Sequence, residues 1–184
     1  PAGNIVENNA SDITLVNNSC YRNTNGVIVR DGAPRVTIAK SIFDANKENG
    51  ILISNGSEVF IGGPDASFQN TIYSNSVGIK LTGSAAKNCE IRNNAIYDNF
   101  ALGVLLEARA NLNRIGPGNL VENSPTGISS DFASTNSFYQ NVVRESMSSG
   151  FRFAGGWTDN LIADNSITQN GIGVFVTGAA TLRN

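Results

Sequence analysis

A short segment of glycine followed by alternating apolar residues recurs along this chain at nearly constant spacing. Seven copies are recognisable, and the steps between their glycines are 24, 28, 25, 24, 23 and 23 residues. These glycines are Gly26, Gly50, Gly78, Gly103, Gly127, Gly150 and Gly173. Alternation with period two is typical of strands, and self-similarity at this period is typical of a solenoid whose repeats pack only on their neighbours.

Two polar markers and one apolar residue precede each of these glycines. The nearer marker stands three or four residues before the glycine, at Asn23, Asn46, Asn75, Asn99, Asn123, Ser146 and Asn170. The farther marker stands at Asn18, Ser41, Asn70, Asn94, Gly118, Asn141 and Asn165. Between them lies an apolar residue, at Cys20, Phe43, Ile72, Ile96, Leu120, Val143 and Ile167. A third short strand precedes the farther marker, so each repeat holds three strands.

Strands this short must pair with their equivalents one repeat further on, about 4.8 Å away. The sequence therefore predicts an all-β chain that forms a parallel β-helix of about seven coils of 23–28 residues, with three short strands per coil. Residues 1–184 are predicted to form a single β-helix domain. The 26 Asn residues are expected at the corners. There they would adopt a left-handed backbone conformation and hydrogen-bond to the Asn one coil away.

The hexapeptides Gly-Asn-Ile-Val-Glu-Asn at residues 3–8 and Gly-Asn-Leu-Val-Glu-Asn at residues 118–123 are interpreted as the same segment of the repeat. On that interpretation the first coil, residues 1–22, is incomplete and lacks about one strand. The last coil is truncated at residue 184. We therefore expect a fragment of a longer solenoid, or else a solenoid whose ends pair with other chains.

The repeat resembles the right-handed parallel β-helix repeats of the pectin-lyase-like superfamily, over about residues 12–184. This resemblance implies a right-handed β-helix (solenoid) fold. It leaves function open, because members include polysaccharide lyases, glycoside hydrolases, sugar epimerases, phage tailspikes and adhesins. In pectate lyases of this superfamily, Ca²⁺ bridges protein acids and an acidic sugar.

Two carboxylates are predicted to lie side by side on the outer face of the glycine-led sheet. Glu107 and Asp131 occupy equivalent outward positions on adjacent coils, and Lys80 and Arg152 flank them above and below. A pair at about 5 Å is suited to retaining glycoside hydrolysis, and the cations are candidates for binding an anionic sugar. The alternative is an exposed sheet of mixed charge, stabilised weakly by cross-strand pairs.

Three further acids are predicted to stack just before a corner, at Asp98, Glu122 and Glu145. Stacked carboxylates repel one another unless a cation intervenes, so this column is a candidate Ca²⁺ site, or else a row of solvated edge charges. Trp157 is a candidate for stacking on a sugar ring, or for closing over its own loop. Cys20 and Cys89 are expected to be buried free thiols too far apart to form a disulfide.

Composition excludes several classes of function. The sequence has no His, which removes the usual general base at neutral pH and the commonest metal ligand. It has no polybasic run, which argues against nucleic acid, and no apolar run long enough to span a membrane.

Two functions fit these observations. The first is an extracellular or cell-surface β-helix that binds or processes a polysaccharide on its exposed parallel sheet, as an acid-pair hydrolase or a Ca²⁺-assisted lyase. The second is a non-catalytic segment of a surface fibre, adhesin or tailspike-like protein, with end-to-end or lateral self-association. Outward apolar residues such as Leu52 and Leu105 favour a surface that further protein covers.

Overall fold

Three parallel sheets wind around one core. The computed structural model describes residues 2–155, 159–178 and 182–183. The strands of these residues form parallel sheets of eight, eight and seven strands, and each coil contributes one strand to each sheet in turn. The all-β solenoid of about seven coils is therefore confirmed.

The strands are numbered in chain order. The first sheet contains β1 (Ala2–Val6), β4 (Asn25–Arg30), β7 (Asn49–Ser54), β10 (Val77–Thr82), β13 (Leu102–Glu107), β16 (Thr126–Asp131), β19 (Ser149–Ala154) and β22 (Ile172–Val176). The second contains β2 (Thr14–Val16), β5 (Thr37–Ala39), β8 (Phe60–Gly62), β11 (Glu90–Arg92), β14 (Arg114–Ile115), β17 (Ser137–Tyr139), β20 (Asn160–Ala163) and β23 (Leu182–Arg183). The third contains β3 (Ser19–Tyr21), β6 (Ile42–Asp44), β9 (Thr71–Tyr73), β12 (Ala95–Tyr97), β15 (Leu120–Glu122), β18 (Val142–Arg144) and β21 (Ser166–Thr168).

A single turn of 3₁₀ helix, Ala66–Phe68, lies in the longest coil. In the part of the chain that the structure describes, no helix has the length and apolar character needed to cross a membrane.

The repeated glycines stack in a column along the first sheet. A Cβ added at Gly78 would lie 2.5 Å from the carbonyl oxygen of Gly103, and one at Gly50 would lie 2.7 Å from that of Gly78. The glycine is therefore required for space. Beyond it the predicted alternation is confirmed: Val104 and Leu106 are fully buried, whereas Glu107 faces outward.

Buried carboxamides form hydrogen-bonded ladders between the coils, as predicted. The longest ladder comprises Asn70, Asn94, Asn119, Asn141 and Asn165, and Ser41 takes the preceding position. Within it the amide N–H of Asn94 donates to Oδ1 of Asn119 at 3.1 Å, and Nδ2 of Asn119 donates to the carbonyl of Ile91 at 2.7 Å. Each side chain thus satisfies backbone groups of the preceding coil that water cannot reach.

A second ladder comprises Asn46, Asn75 and Asn99. A third, at the start of the second sheet, comprises Asn113, Asn136 and Asn160 and was not anticipated. The predicted left-handed conformation of the ladder residues is wrong. The left-handed conformation occurs instead at residues that directly precede a position of the longest ladder in the chain. These are Asn17, Lys40, Asn93, Gln140 and Asp164, whose φ angles run from 50° to 58°.

The register of the fifth coil differs from the prediction by one residue. Val121 pairs with Ile96 on one side and Val143 on the other, and Val121 is fully buried. Leu120, the residue predicted to face the core, points outward and is half-buried. The polar markers of this coil are therefore Asn119 and Ser124, where the sequence predicts Gly118 and Asn123.

The two similar hexapeptides occupy different sheets, so their interpretation as one segment of the repeat is wrong. Residues 3–8 run through β1, whose Ala2 and Asn4 pair with Asn25 and Val27, so Gly3 joins the glycine column. Residues 118–123 run through β15 of the third sheet. Residues 2–21 contain β1, β2 and β3, so the strand predicted to be missing from the first coil is present.

Candidate functional site

The outer face of the first sheet carries two columns of outward side chains, and we call it the first-sheet face. One column comprises Ile28, Leu52, Lys80, Leu105, Ser129, Arg152 and Phe175. The other comprises Arg30, Ser54, Thr82, Glu107, Asp131 and Ala154. The described strands of this sheet pair in register, so each column is a straight row across the coils.

Glu107 is held by side chains of the preceding coil. Its Oε1 lies 2.8 Å from Nζ of Lys80 and accepts a hydrogen bond from Oγ1 of Thr82 at 3.2 Å. Both charged groups are half-buried. β10 and β13 supply these three residues at neighbouring positions, which the register between the strands fixes. Glu107 is therefore a positioned carboxylate rather than a freely moving surface charge.

Asp131 lies near Arg152, the cation on the following coil. One of its oxygens lies 3.9 Å from Nη1 of Arg152, at the limit of an ion pair, and the same nitrogen donates to Oγ of Ser129 at 3.5 Å. Lys80, Glu107, Asp131 and Arg152 thus lie on four successive coils. The prediction that the two cations flank the two acids agrees with this placement.

The spacing of the two acids suits several roles. Glu107 and Asp131 are direct partners in the parallel pairing of β13 and β16, so their backbones lie about 4.8 Å apart. Retaining glycosidases place their carboxyl groups about 5–5.5 Å apart, and one of the two must sit in surroundings that keep it protonated. Here each acid has its own cation, and that arrangement is better suited to binding a ligand than to donating a proton.

The predicted acidic column does not assemble. Because the fifth coil is shifted by one residue, Glu122 pairs with Tyr97 and Arg144, out of line with Asp98 and Glu145. Its Oε2 lies 2.7 Å from Nη2 of Arg144, and this ion pair raises the pKa of the guanidinium. Asp98 accepts a hydrogen bond from Nδ2 of Asn123. Among the described residues, no three His, Cys, Asp or Glu side chains group closely enough to hold a metal ion.

The other residues singled out in the sequence are Trp157 and the two cysteines. Trp157 lies outside the described residues. Cys20 on β3 and Cys89, which directly precedes β11, are both buried and free, as predicted. Burial raises the pKa of both thiols, to about 12 for Cys89.

This burial predicts that both thiols are inert in the folded protein. At a pH of about 8 a thiol with a pKa of about 12 is ionised on the order of once in 10⁴ molecules, and only the thiolate is nucleophilic. We expect no rapid reaction of the native protein with a chromogenic disulfide reagent, and rapid reaction of two thiols in denaturant. A native thiol that reacted as fast as a free cysteine would contradict this.

The second sheet carries a groove that the sequence does not predict. It has a volume of about 450 Å³ and lies between β8 and β17. Four outward residues of successive coils, in register, line it: Phe60, Glu90, Arg114 and Ser137. These four residues can be grouped from the sequence only if the strands of the second sheet are aligned correctly.

The sequence matches a known protein-family model. The family model described as periplasmic copper-binding protein (NosD) matches residues 2–116 and again residues 65–182, which together span nearly the whole chain. The chain belongs to the NosD family. The two overlapping matches agree with a solenoid, in which one repeat pattern fits several positions. No curated protein sequence matches this NosD-family chain significantly.

Solved structures share the fold. The periplasmic alginate epimerase AlgG superposes with a TM-score of 0.79 at 17% identity, covering 90% of this chain. The A-module of the mannuronan C-5 epimerase AlgE4 from Azotobacter vinelandii gives 0.51 at 13% identity, covering 95% of this chain and 65% of its own. The chain spans 38% of the length of AlgG. The right-handed parallel β-helix fold is thereby confirmed.

Proposed function

We propose that this NosD-family chain binds a polysaccharide along its first-sheet face, outside the cytoplasm. The observation that carries the proposal is a staggered row of four charged residues on four successive coils, with Lys80 and Arg152 in one outward column and Glu107 and Asp131 in the other. At about 4.8 Å per coil this row extends over roughly 14 Å, so it offers charged hydrogen-bonding groups to more than one sugar unit of an extended chain.

The surroundings of this row support the same function. The ion pairs are half-buried, so each charged group keeps part of its surface for a ligand. Leu52, which is half-buried, lies in the same column as Lys80 and supplies apolar surface for the carbon-bound hydrogens of a sugar ring. The two epimerases named above act, as their names state, on alginate and mannuronan, and the NosD family and AlgG are described as periplasmic. These names support a polysaccharide ligand and a location beyond the inner membrane.

Binding is tested by electrophoresis of the native protein in gels that contain alginate, polygalacturonate or a neutral glucan. We expect at least one polymer to retard the wild type. Lys80→Ala and Arg152→Ala should each weaken the interaction at least about tenfold, since a hydrogen bond to a charged group contributes about 1.5–3 kcal/mol. Lys47→Ala is the matched control, because Lys47 is an exposed lysine in the bend before β7 and belongs to neither outward column.

Three outcomes decide between the alternatives. Equal retardation of wild type and both face variants would place binding elsewhere. Release of reducing sugar that disappears in Glu107→Gln and in Asp131→Asn would make the face a hydrolase site. If no polymer retards the wild type and light scattering shows self-association, the structural role is the correct one.

Copper does not fit the residues of this chain, although the family description names it. Copper in proteins takes imidazole, thiolate and thioether ligands. The sequence has no His, two Cys and one Met. Cys20 and Cys89 are buried in different sheets, and Met147 is an exposed residue on a turn, 78% accessible to solvent. Our proposal for this chain therefore includes no copper site.

A further inference from the structure

The groove on the second sheet combines three kinds of surface. Its floor consists of the buried Cys89 and Asn113, which are joined by a 2.9 Å hydrogen bond from the amide of Cys89 to Oδ1 of Asn113. Its apolar surface comes from Phe60 and Leu112, which are 38% and 51% exposed. Its polar rim comes from Asn88, Thr135 and Ser137. Its volume of about 450 Å³ is within the range of small-molecule sites.

The polar rim has capacity for a ligand. Within residues 2–155, 159–178 and 182–183, the side chains of Asn88, Thr135 and Ser137 make no hydrogen bond to the protein. Elsewhere in the fold, Asn side chains such as Asn113 are engaged in ladders. Three groups that can donate and accept, placed around one concavity, are suited to a ligand rich in hydroxyl groups.

The lining of the groove contains one acid and one cation, Glu90 and Arg114, and the acid is paired with a cation outside the lining. Glu90 lies 3.6 Å from Arg92 on the same strand, so that acid already has a cation. Arg114 is exposed, and no carboxylate of the described residues lies within ion-pair distance of it. One guanidinium is therefore left over, and its planar fork matches a carboxylate.

We propose that this groove binds one sugar unit that carries a carboxylate, a hexuronate. Arg114 pairs with the carboxylate, the rim residues hydrogen-bond to the ring hydroxyls, and Phe60 with Leu112 contacts the apolar face of the ring. The groove and the first-sheet face belong to different sheets, so this inference stands or falls independently of the proposed function.

The proposal is tested by titrating the intact protein with D-glucuronate and with D-glucose, followed by heteronuclear NMR. We expect shifts centred on Arg114, Ser137 and Asn88, and an affinity for glucuronate at least about tenfold higher than for glucose, since one charged hydrogen bond supplies that difference. Arg114→Ala should remove this preference, and Arg114→Lys should retain part of it. Phe60→Ala should weaken both sugars equally.

One control variant separates this groove from other sites. Lys47→Ala, in the bend between the third and first sheets, should leave the affinity for glucuronate unchanged. Absence of binding, equal affinity for both sugars, or an unchanged preference in Arg114→Ala would each overturn the proposal. Tighter binding of polygalacturonate than of the monomer, lost in Arg114→Ala, would identify the ligand as a unit of a polymer; no gain would identify it as the free sugar acid.

Discussion

Gly78→Ala should destabilise the folded protein by about 3 kcal/mol or more, measured as the change in free energy of unfolding in urea. The new Cβ would lie 2.5 Å from the carbonyl oxygen of Gly103 and 2.8 Å from Cγ2 of Ile96. The carbonyl belongs to β13, whose pairing with β10 fixes it in place on both sides of Gly103. Overpacking against side chains costs about 1–3 kcal/mol, and a rigid backbone atom leaves less room for relief.

Gly173→Ala is the matched control for this prediction. Gly173 occupies the same position of the repeat, but the nearest atom to its added Cβ is Cγ2 of Ile167 at 3.7 Å, an ordinary contact. We expect a change within about 0.5 kcal/mol. If both variants lost the same stability, the effect would come from the intrinsic preference of alanine and not from the space between coils, and the stacking argument would fail.

The glycine column could be predicted from the sequence because its physical requirement is strict and single. Only glycine fits where successive backbones approach this closely, so the letter recurs at every coil. The apolar alternation after the glycine could be predicted equally well. A one-residue slip would move Val104 and Leu106 from the core to solvent, so the register is strictly specified. These two constraints also place Lys80, Glu107, Asp131 and Arg152 correctly on the first-sheet face.

The fifth coil was misaligned because two apolar residues stand side by side in it. Leu120 and Val121 fit a core position equally well by hydropathy, so the pattern alone does not choose between them. The choice is made by hydrogen bonding: Asn119 must meet Asn94 and Asn141 for the ladder to continue. That one-residue difference is what separates Glu122 from Asp98 and Glu145.

The two hexapeptides were wrongly interpreted as one segment of the repeat because glycine serves two unrelated purposes in this fold. Gly3 is needed because a Cβ there would lie 2.6 Å from the carbonyl oxygen of Gly26. Gly118 is needed because its φ is 77°, at a turn between the second and third sheets. Glycine thus occurs in a crowded strand in one place and at a left-handed turn in the other, and only the three-dimensional structure distinguishes the two.

The second-sheet groove could not be predicted from the sequence, because the strands of this sheet have no marker as regular as the glycine of the first sheet. β8, β11 and β14 are two or three residues long, and the turns before them differ in length and sequence. Arg114 and Phe60 are brought to one surface only when the registers of three strands are known together.

Asn94→Leu should produce the other large loss of stability, about 2–6 kcal/mol in the free energy of unfolding. Asn94 is fully buried, and its Oδ1 accepts from Nδ2 of Asn70 at 2.9 Å while its own Nδ2 donates to the carbonyl of Ile61 at 2.9 Å. Leucine has a similar size but offers neither group. Two buried polar atoms would lose their partners, and each costs about 1–3 kcal/mol.

Asn23→Leu separates this ladder effect from the general cost of replacing an asparagine. Asn23 is half-buried, and its Nδ2 donates to the carbonyl of Tyr21 at 3.2 Å, within its own coil. Because water can replace that bond, we expect a loss below about 1 kcal/mol. Hydrogen exchange should also show faster opening at Asn70 in Asn94→Leu. Similar losses in both variants, with unchanged exchange at Asn70, would mean that the carboxamides fill the corners without holding successive coils together.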